Sequence, residues 1–142
     1  MQKIKKDLLI IGAGPGGLGA ALYAVRAGID FEIVDKNAAG GQIIYTGLIE
    51  NYPGFKKDLS GYEFIQNLVE HCSKFNIKVK EYFPINSVEP VTTGEKGVRY
   101  NFKCPGADGP IWTNSVIIAT GVDPSSLNVD GESGLIGKGI SF

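Results

Sequence analysis

Past a short lysine-containing start, the chain holds an unbroken apolar run, Leu8–Ile11. A continuous run, as opposed to an alternation, is the pattern of a strand covered on both faces. A strand is therefore expected over Asp7–Ile11, with Gly12 ending it. From Pro15 to about Ala27 the residues are small and helix-compatible, and Gly28 supplies the stop. Phe31–Val34 is the next expected strand, closed by Asp35. A β-α-β unit of this length calls for a right-handed crossover and parallel strands.

Lys36–Lys57 contains Gly, Asn and Pro, with only a short apolar patch at Ile43–Tyr45. A connection that long without periodicity usually carries function. Ser60-Gly61-Tyr62-Glu63 has the S-x-x-E form of a capping box and opens a helix to about Phe75, with Asn76 as a left-handed stop. Its apolar stripe is Ile65, Leu68, Cys72 and Phe75. A strand is expected near Ile77–Glu81. Three stretches of strand character follow, Ser87–Thr92, Val98–Cys104 and Ile111–Thr113, separated by turn-rich Thr93–Gly97 and Pro105–Pro110. They read as an antiparallel β-meander inserted before the last clear strand, Ser115–Ala119. Gly121–Gly139 reads as linker, and Ile140–Phe142 as the first residues of a strand cut off by the end of the sequence.

Composition narrows the function. The chain has 142 residues, room for one domain of ordinary size, and 43% of them are apolar. A net charge of −1 with no basic face argues against nucleic acid. No run approaches the roughly twenty apolar residues of a membrane span, so a cytoplasmic protein is the default. Cys72 and Cys104 have neither C-x-x-C nor metal spacing and are expected in the core. Packing is likewise the preferred reading of Tyr23, Tyr45, Tyr52 and Trp112. His71 is assigned no catalytic role.

Gly12-Ala13-Gly14-Pro15-Gly16-Gly17 matches G-x-G-x-x-G between a buried strand and a helix. In such a turn the first glycine makes the tight bend, the second admits a diphosphate to the backbone, and the third lets the helix pack closely. The N–H groups and positive dipole end of the helix then face the phosphates. Asp35, about twenty residues on, can accept hydrogen bonds from a ribose diol and would repel a 2′-phosphate. This unit does not by itself tell FAD from NAD.

Further residues carry a resemblance that spans the whole chain. The glycine motif followed by Ala21, Ala24, Arg26 and Gly28 resembles flavoproteins with two dinucleotide domains, including disulfide reductases. Gly40-Gly41-Gln42, then Glu50-Asn51-Tyr52-Pro53-Gly54, is similar to thioredoxin reductase of the low-molecular-weight type and the related alkyl hydroperoxide reductase flavoprotein. Ile117-Ile118-Ala119-Thr120-Gly121, with Pro124, Leu127 and Gly131-Glu132, resembles that family's second FAD-contacting turn and crossover linker. Gly137–Phe142 resembles the lead-in to its redox-active C-x-x-C.

The resemblance implies an α/β fold, a Rossmann-like FAD-binding domain with a parallel sheet and the inserted meander. Residues 1–121 would be the first, incomplete segment of that domain, and 122–142 a linker and the start of an NADPH-binding domain. The implied cofactor contacts are Gly12, Gly14, Pro15, Gly16, Gly17, Asp35, Lys36, Gly40, Gly41, Gln42, Asn51, Ala119, Thr120 and Gly121. Where the family more often has Glu, this chain has Asp35, one methylene shorter. The implied reaction passes electrons from NAD(P)H through FAD to a disulfide beyond this sequence, and thence to a thioredoxin-like protein. A homodimer is also implied. A stand-alone nucleotide-binding module and a ferredoxin–NADP reductase-like flavoprotein are the alternatives.

Overall fold

The computed structural model describes residues 4–91, 102–106, 108–122, 125–135 and 138–139. Six strands form one sheet: β1 (Ile4–Ile11), β2 (Phe31–Val34), β3 (Val79–Lys80), β4 (Glu89–Pro90), β5 (Phe102–Cys104) and β6 (Ile111–Ile118). Their order is β3-β2-β1-β6-β5-β4. β1 runs parallel to both β2 and β6, and β2 parallel to β3, whereas β4, β5 and β6 are joined antiparallel. Helices α1 (Pro15–Arg26) and α2 (Gly61–Lys74) cross between the parallel strands, and a short α3 (Glu132–Leu135) lies in the tail.

Strand β1 is covered on both faces, as its unbroken apolar run requires. Leu8 and Ile10 point into a core shared with Leu18, Ala21 and Ala24 of α1 and with Ile65 and Cys72 of α2. Leu9 points the other way, onto Val34, Phe83, Cys104 and Ile111. The small residues of α1 let that helix sit close to the sheet. The capping box that opens α2 is complete: the Ser60 hydroxyl accepts from the Glu63 N–H at 3.2 Å, and the Glu63 carboxylate accepts from the Ser60 N–H at 2.9 Å. The Ser60 N–H and the Ser60 hydroxyl, both donating to the Glu63 carboxylate, hold it below its ordinary range, the N–H most of all. At the far end Asn76 is left-handed at φ 58°, as expected.

Three expectations need correction. β1 begins at Ile4, because Ile4–Lys6 pair with Ile111–Thr113 despite the lysines. Ile111–Thr113 and Ser115–Ala119 are not two strands but the single β6, since Asn114 turns its amide to the Asp7 carboxylate, 3.1 Å, without leaving the strand. The inserted meander thus uses β4, β5 and the first half of β6, a strand that pairs parallel with β1 along its whole length. Finally, the tail is not plain linker. Buried Glu132 of α3 accepts hydrogen bonds from the Ser126 hydroxyl at 2.6 Å and from the N–H groups of Leu127 and Asn128 at 2.8 and 3.0 Å. Parts of the meander and tail expected at residues 92–101 and 140–142 lie outside the described residues.

Candidate dinucleotide site

The carboxyl ends of β1, β2, β3 and β6 lie side by side, where ligands of open α/β sheets bind. β1 delivers Gly12, whose N–H bonds the Val34 carbonyl at 2.8 Å. On the other flank the Ala119 N–H bonds the Ile11 carbonyl, also at 2.8 Å. A Cβ on Gly12 would strike the Ala119 carbonyl, and one on Gly17 would strike the carbonyl of Gly12 itself. These two glycines therefore permit backbone-to-backbone contact between strand, turn and helix. Gly14, given a close phosphate approach by the sequence reading, faces the Gly40–Gly41 backbone instead, at ordinary contact distance from where its Cβ would be. The open position is Gly16, exposed with nothing within 4 Å of a notional Cβ.

The N-terminus of α1 suits an anion. Gly14 is its N-cap, Pro15 stands in the first turn, no side chain caps it, and no acidic residue occupies that turn. Among the described residues no carboxylate caps its first amides and positive dipole end.

Asp35 is bound into the same turn. One carboxylate oxygen accepts from the Ala13 N–H at 2.7 Å and the other from the Asn37 N–H at 2.8 Å. Asp35 therefore ties the end of β2 to the glycine turn. Each oxygen has capacity for one more hydrogen bond, enough for the two hydroxyls of a ribose.

Gly40, Gly41 and Gln42 lead into a 3-10 helix, Gly41–Tyr45. The Gly40 N–H bonds the Ala13 carbonyl at 3.0 Å, which lays this loop on the glycine turn. Two residues that the sequence reading passed over hold the loop in place. Glu81, just after β3, accepts from the Ala39 N–H at 2.8 Å. Gly61 brings the start of α2 onto the 3-10 helix, where a Cβ would overlap the Ile43 carbonyl, and its N–H bonds the Thr46 carbonyl at 2.8 Å. Glu81 had no sequence signal. Gly61 had one, because glycine is a poor choice at the start of a helix unless something approaches closely.

The circle closes at the exit of β6. The Gln42 side-chain amide donates to the Val122 carbonyl, bridging this loop to the Ala119–Gly121 turn. Thr120, Gly121 and Lys36 are exposed, and Pro15 is half-buried. Asn51 is set apart: it is exposed on the excursion pinned by the Ile49–Leu59 bridge, where Tyr52 stacks edge-on against Phe64 at 4.7 Å. Packing also accounts for His71, which lies against Phe75 with ring centroids 5.5 Å apart. Among the described residues no cluster of His, Cys, Asp or Glu could hold a metal ion. No helix of the described residues is long and apolar enough to cross a membrane.

The two thiols cannot serve each other. Cys72 lies in the core on the helical face of the sheet and Cys104 in the core on the opposite face. Burial pushes both thiols above the ordinary range, and the Glu89 carboxylate pushes Cys104 further.

A phosphate-ready helix terminus, an acid bound into the glycine turn and two further loops on the same sheet edge define an α/β dinucleotide-binding domain. The chain belongs to the pyridine nucleotide-disulphide oxidoreductase family, whose model matches residues 6–141. It is 40% identical to the thioredoxin reductase of Helicobacter pylori over 137 residues, which are 95% of this chain and 42% of that protein. The crystal structure of T. acidophilum thioredoxin reductase superposes with a TM-score of 0.79 at 35% identity, covering 96% of this chain and 42% of that one. A ferredoxin-flavin thioredoxin reductase from Clostridium acetobutylicum gives 0.72 at 32% identity, with 98% and 44% covered. The chain thus spans about two fifths of the length of these relatives.

Proposed function

We propose that this chain is the FAD-binding part of a flavoprotein disulfide oxidoreductase of the thioredoxin reductase kind. The observation that carries this reading is the convergence of the Gly12–Gly17 turn, Asp35, the Gly40–Gln42 loop and the Ala119–Gly121 turn on one sheet edge. The first amides of α1 bind the diphosphate, and Gly16 leaves it room. Asp35 takes the adjoining ribose, and Lys36 flanks it. Gln42 and the backbone of Gly41, Thr120 and Gly121 orient the flavin ring, while Asn51 adds an amide from the neighbouring excursion. A bound FAD would supply two-electron chemistry between a nicotinamide and a disulfide.

Cys72 and Cys104, in cores on opposite faces of the sheet, are not that disulfide. The complete enzyme would draw on NAD(P)H, act as a homodimer and reduce a thioredoxin-like protein. Residues 1–121 then serve FAD, and 122–142 lead toward a nicotinamide-binding domain. Titration of the purified chain with FAD and with FMN tests the reading. FAD should bind with a change in its visible spectrum, and FMN, lacking the AMP half, should bind more weakly. A chain that ignores FAD, or holds FMN as tightly, would refute it.

A further inference from the structure

Strand β3 ends at Lys80, yet the chain stays bound to the loop after β2 as far as Phe83. The Asp35 N–H donates to the Lys80 carbonyl at 3.0 Å, the Tyr82 N–H to the Asn37 carbonyl at 3.3 Å, and the Phe83 N–H to the Asp35 carbonyl at 2.7 Å. Within this clasp Tyr82 is left-handed at φ 54°, a conformation that a bulky residue rarely adopts. The residues on its two sides go to different places. Phe83 enters the core at 2% exposure, while Glu81 stays exposed and accepts from the Ala39 N–H at 2.8 Å. Backbone strain of this kind persists only where the surroundings over-determine it, and it gathers at functional sites.

Ala39 is the point where the Glu81 carboxylate has leverage. The next two residues, Gly40 at φ 147° and Gly41 at φ 68°, use the freedom of glycine, and glycine loses the most entropy when it is ordered. Gly40 then donates to the Ala13 carbonyl at 3.0 Å, and Gln42 reaches across to the Val122 carbonyl. An anchor directly before such a pair fixes the loop before a ligand arrives, so that binding need not supply the ordering. Asp35 does not depend on this anchor, because its own oxygens are held by the Ala13 and Asn37 N–H groups. We propose that Glu81 is a positioning residue for the flavin end of the site. It acts through Ala39 and pre-orders Gly40–Gln42, the loop to which the proposed function gives the flavin ring. This inference rests on that reading.

Titration of the chain with FAD and with ADP tests it, using wild type, Glu81→Gln and Glu81→Ala. The side-chain carbonyl of Glu81→Gln can still accept from Ala39, so this variant should hold FAD within about threefold of wild type. Glu81→Ala has no acceptor and should lose about tenfold in FAD affinity, the scale of one charge-assisted hydrogen bond. The visible spectrum of its bound flavin should move toward that of free FAD. ADP carries the diphosphate and ribose but no flavin, and should bind all three proteins within about twofold. Melting temperatures should agree within about 3 °C, because Glu81 lies on the surface. A residue that merely held the fold would lower ADP affinity and melting temperature along with FAD affinity. That pattern, or wild-type FAD affinity in Glu81→Ala, overturns the positioning role and leaves the FAD reading intact. A wild-type chain that binds neither ADP nor FAD overturns both.

Discussion

Helix α1 contains Gly16, Gly17 and Gly19, and the same Gly→Ala change should have three different outcomes there. In an unobstructed helix interior, Gly→Ala stabilises by about 1 kcal/mol through backbone entropy and propensity. A Cβ at Gly19 meets nothing within 4 Å, so that gain should appear in full. A Cβ at Gly17 overlaps the Gly12 carbonyl so deeply that helix and turn must part by about an ångström. That turn is also held by the Gly12 and Ala119 hydrogen bonds, so it cannot retreat cheaply. Overpacking typically costs about 1–3 kcal/mol, and here it should lie at or above the top of that range. After subtracting the propensity gain, Gly17→Ala should destabilise by about 2 kcal/mol or more, whereas Gly19→Ala stabilises. At about 3–4 °C per kcal/mol for a chain of this size, their melting points should differ by about 10 °C. At Gly16 the notional Cβ is also unobstructed within the protein, so Gly16→Ala should melt no lower than wild type while binding FAD more weakly. Thermal melts by circular dichroism and FAD titration of the three variants read this directly. Equal melting points for Gly17→Ala and Gly19→Ala would refute the close-contact argument, and undiminished FAD binding by Gly16→Ala would refute the placement of the phosphates.

Asp35→Asn keeps the size but removes the charge and one of two acceptors, leaving the Ala13 or Asn37 N–H poorly paired. A loss of about 2 kcal/mol in denaturant unfolding is expected, together with weaker FAD binding. Glu63 and Glu132 have carboxyls held below their ordinary value, by the Ser60 N–H and hydroxyl in one case and by the Ser126 hydroxyl and Leu127 N–H first in the other. A folded-state value below the unfolded one contributes stability that is present above the unfolded value, near 4.5, and lost as pH falls through the folded one. Melting temperature should therefore decline from about pH 5 downward, and Glu63→Gln and Glu132→Gln should each flatten that decline; an unchanged slope in both would contradict it. Cys72 and Cys104, buried with raised thiols, should resist iodoacetamide in the folded chain and react once it is unfolded, as mass spectrometry would show.

What the sequence made legible follows from how local each signal is. The unbroken apolar run of β1, the small residues of α1 and the S-x-x-E of α2 act within a turn or a strand, so both helices stand where the pattern puts them and β1 differs only in starting earlier, at Ile4. The extent of β6 is hidden in the sequence because its two halves have different neighbours: Ile111–Thr113 pairs antiparallel with β5, while the strand as a whole pairs parallel with β1. A single strand with two kinds of neighbour has no single hydrophobic period. The tail was misread for a related reason. Its Gly, Ser and Asp composition is that of a linker, yet one carboxylate, Glu132, gathers three donors and folds it locally. In the site, the glycine turn and Asp35 were visible because their spacing reflects one β-α-β unit. Glu81 was not, because its role depends on Ala39 lying beside the end of β3 in space, 42 positions away in the chain. Asp35 shows how the two kinds of information join. Spacing marks it as a ribose acceptor, but only the fold reveals that it first braces the Ala13 amide. The Asp35 carboxylate is thus bound to the turn, and the function proposed above gives it the sugar as well. Under the proposed function, shape and recognition draw on the same two oxygens, which is why Asp35→Asn should weaken folding and FAD binding together.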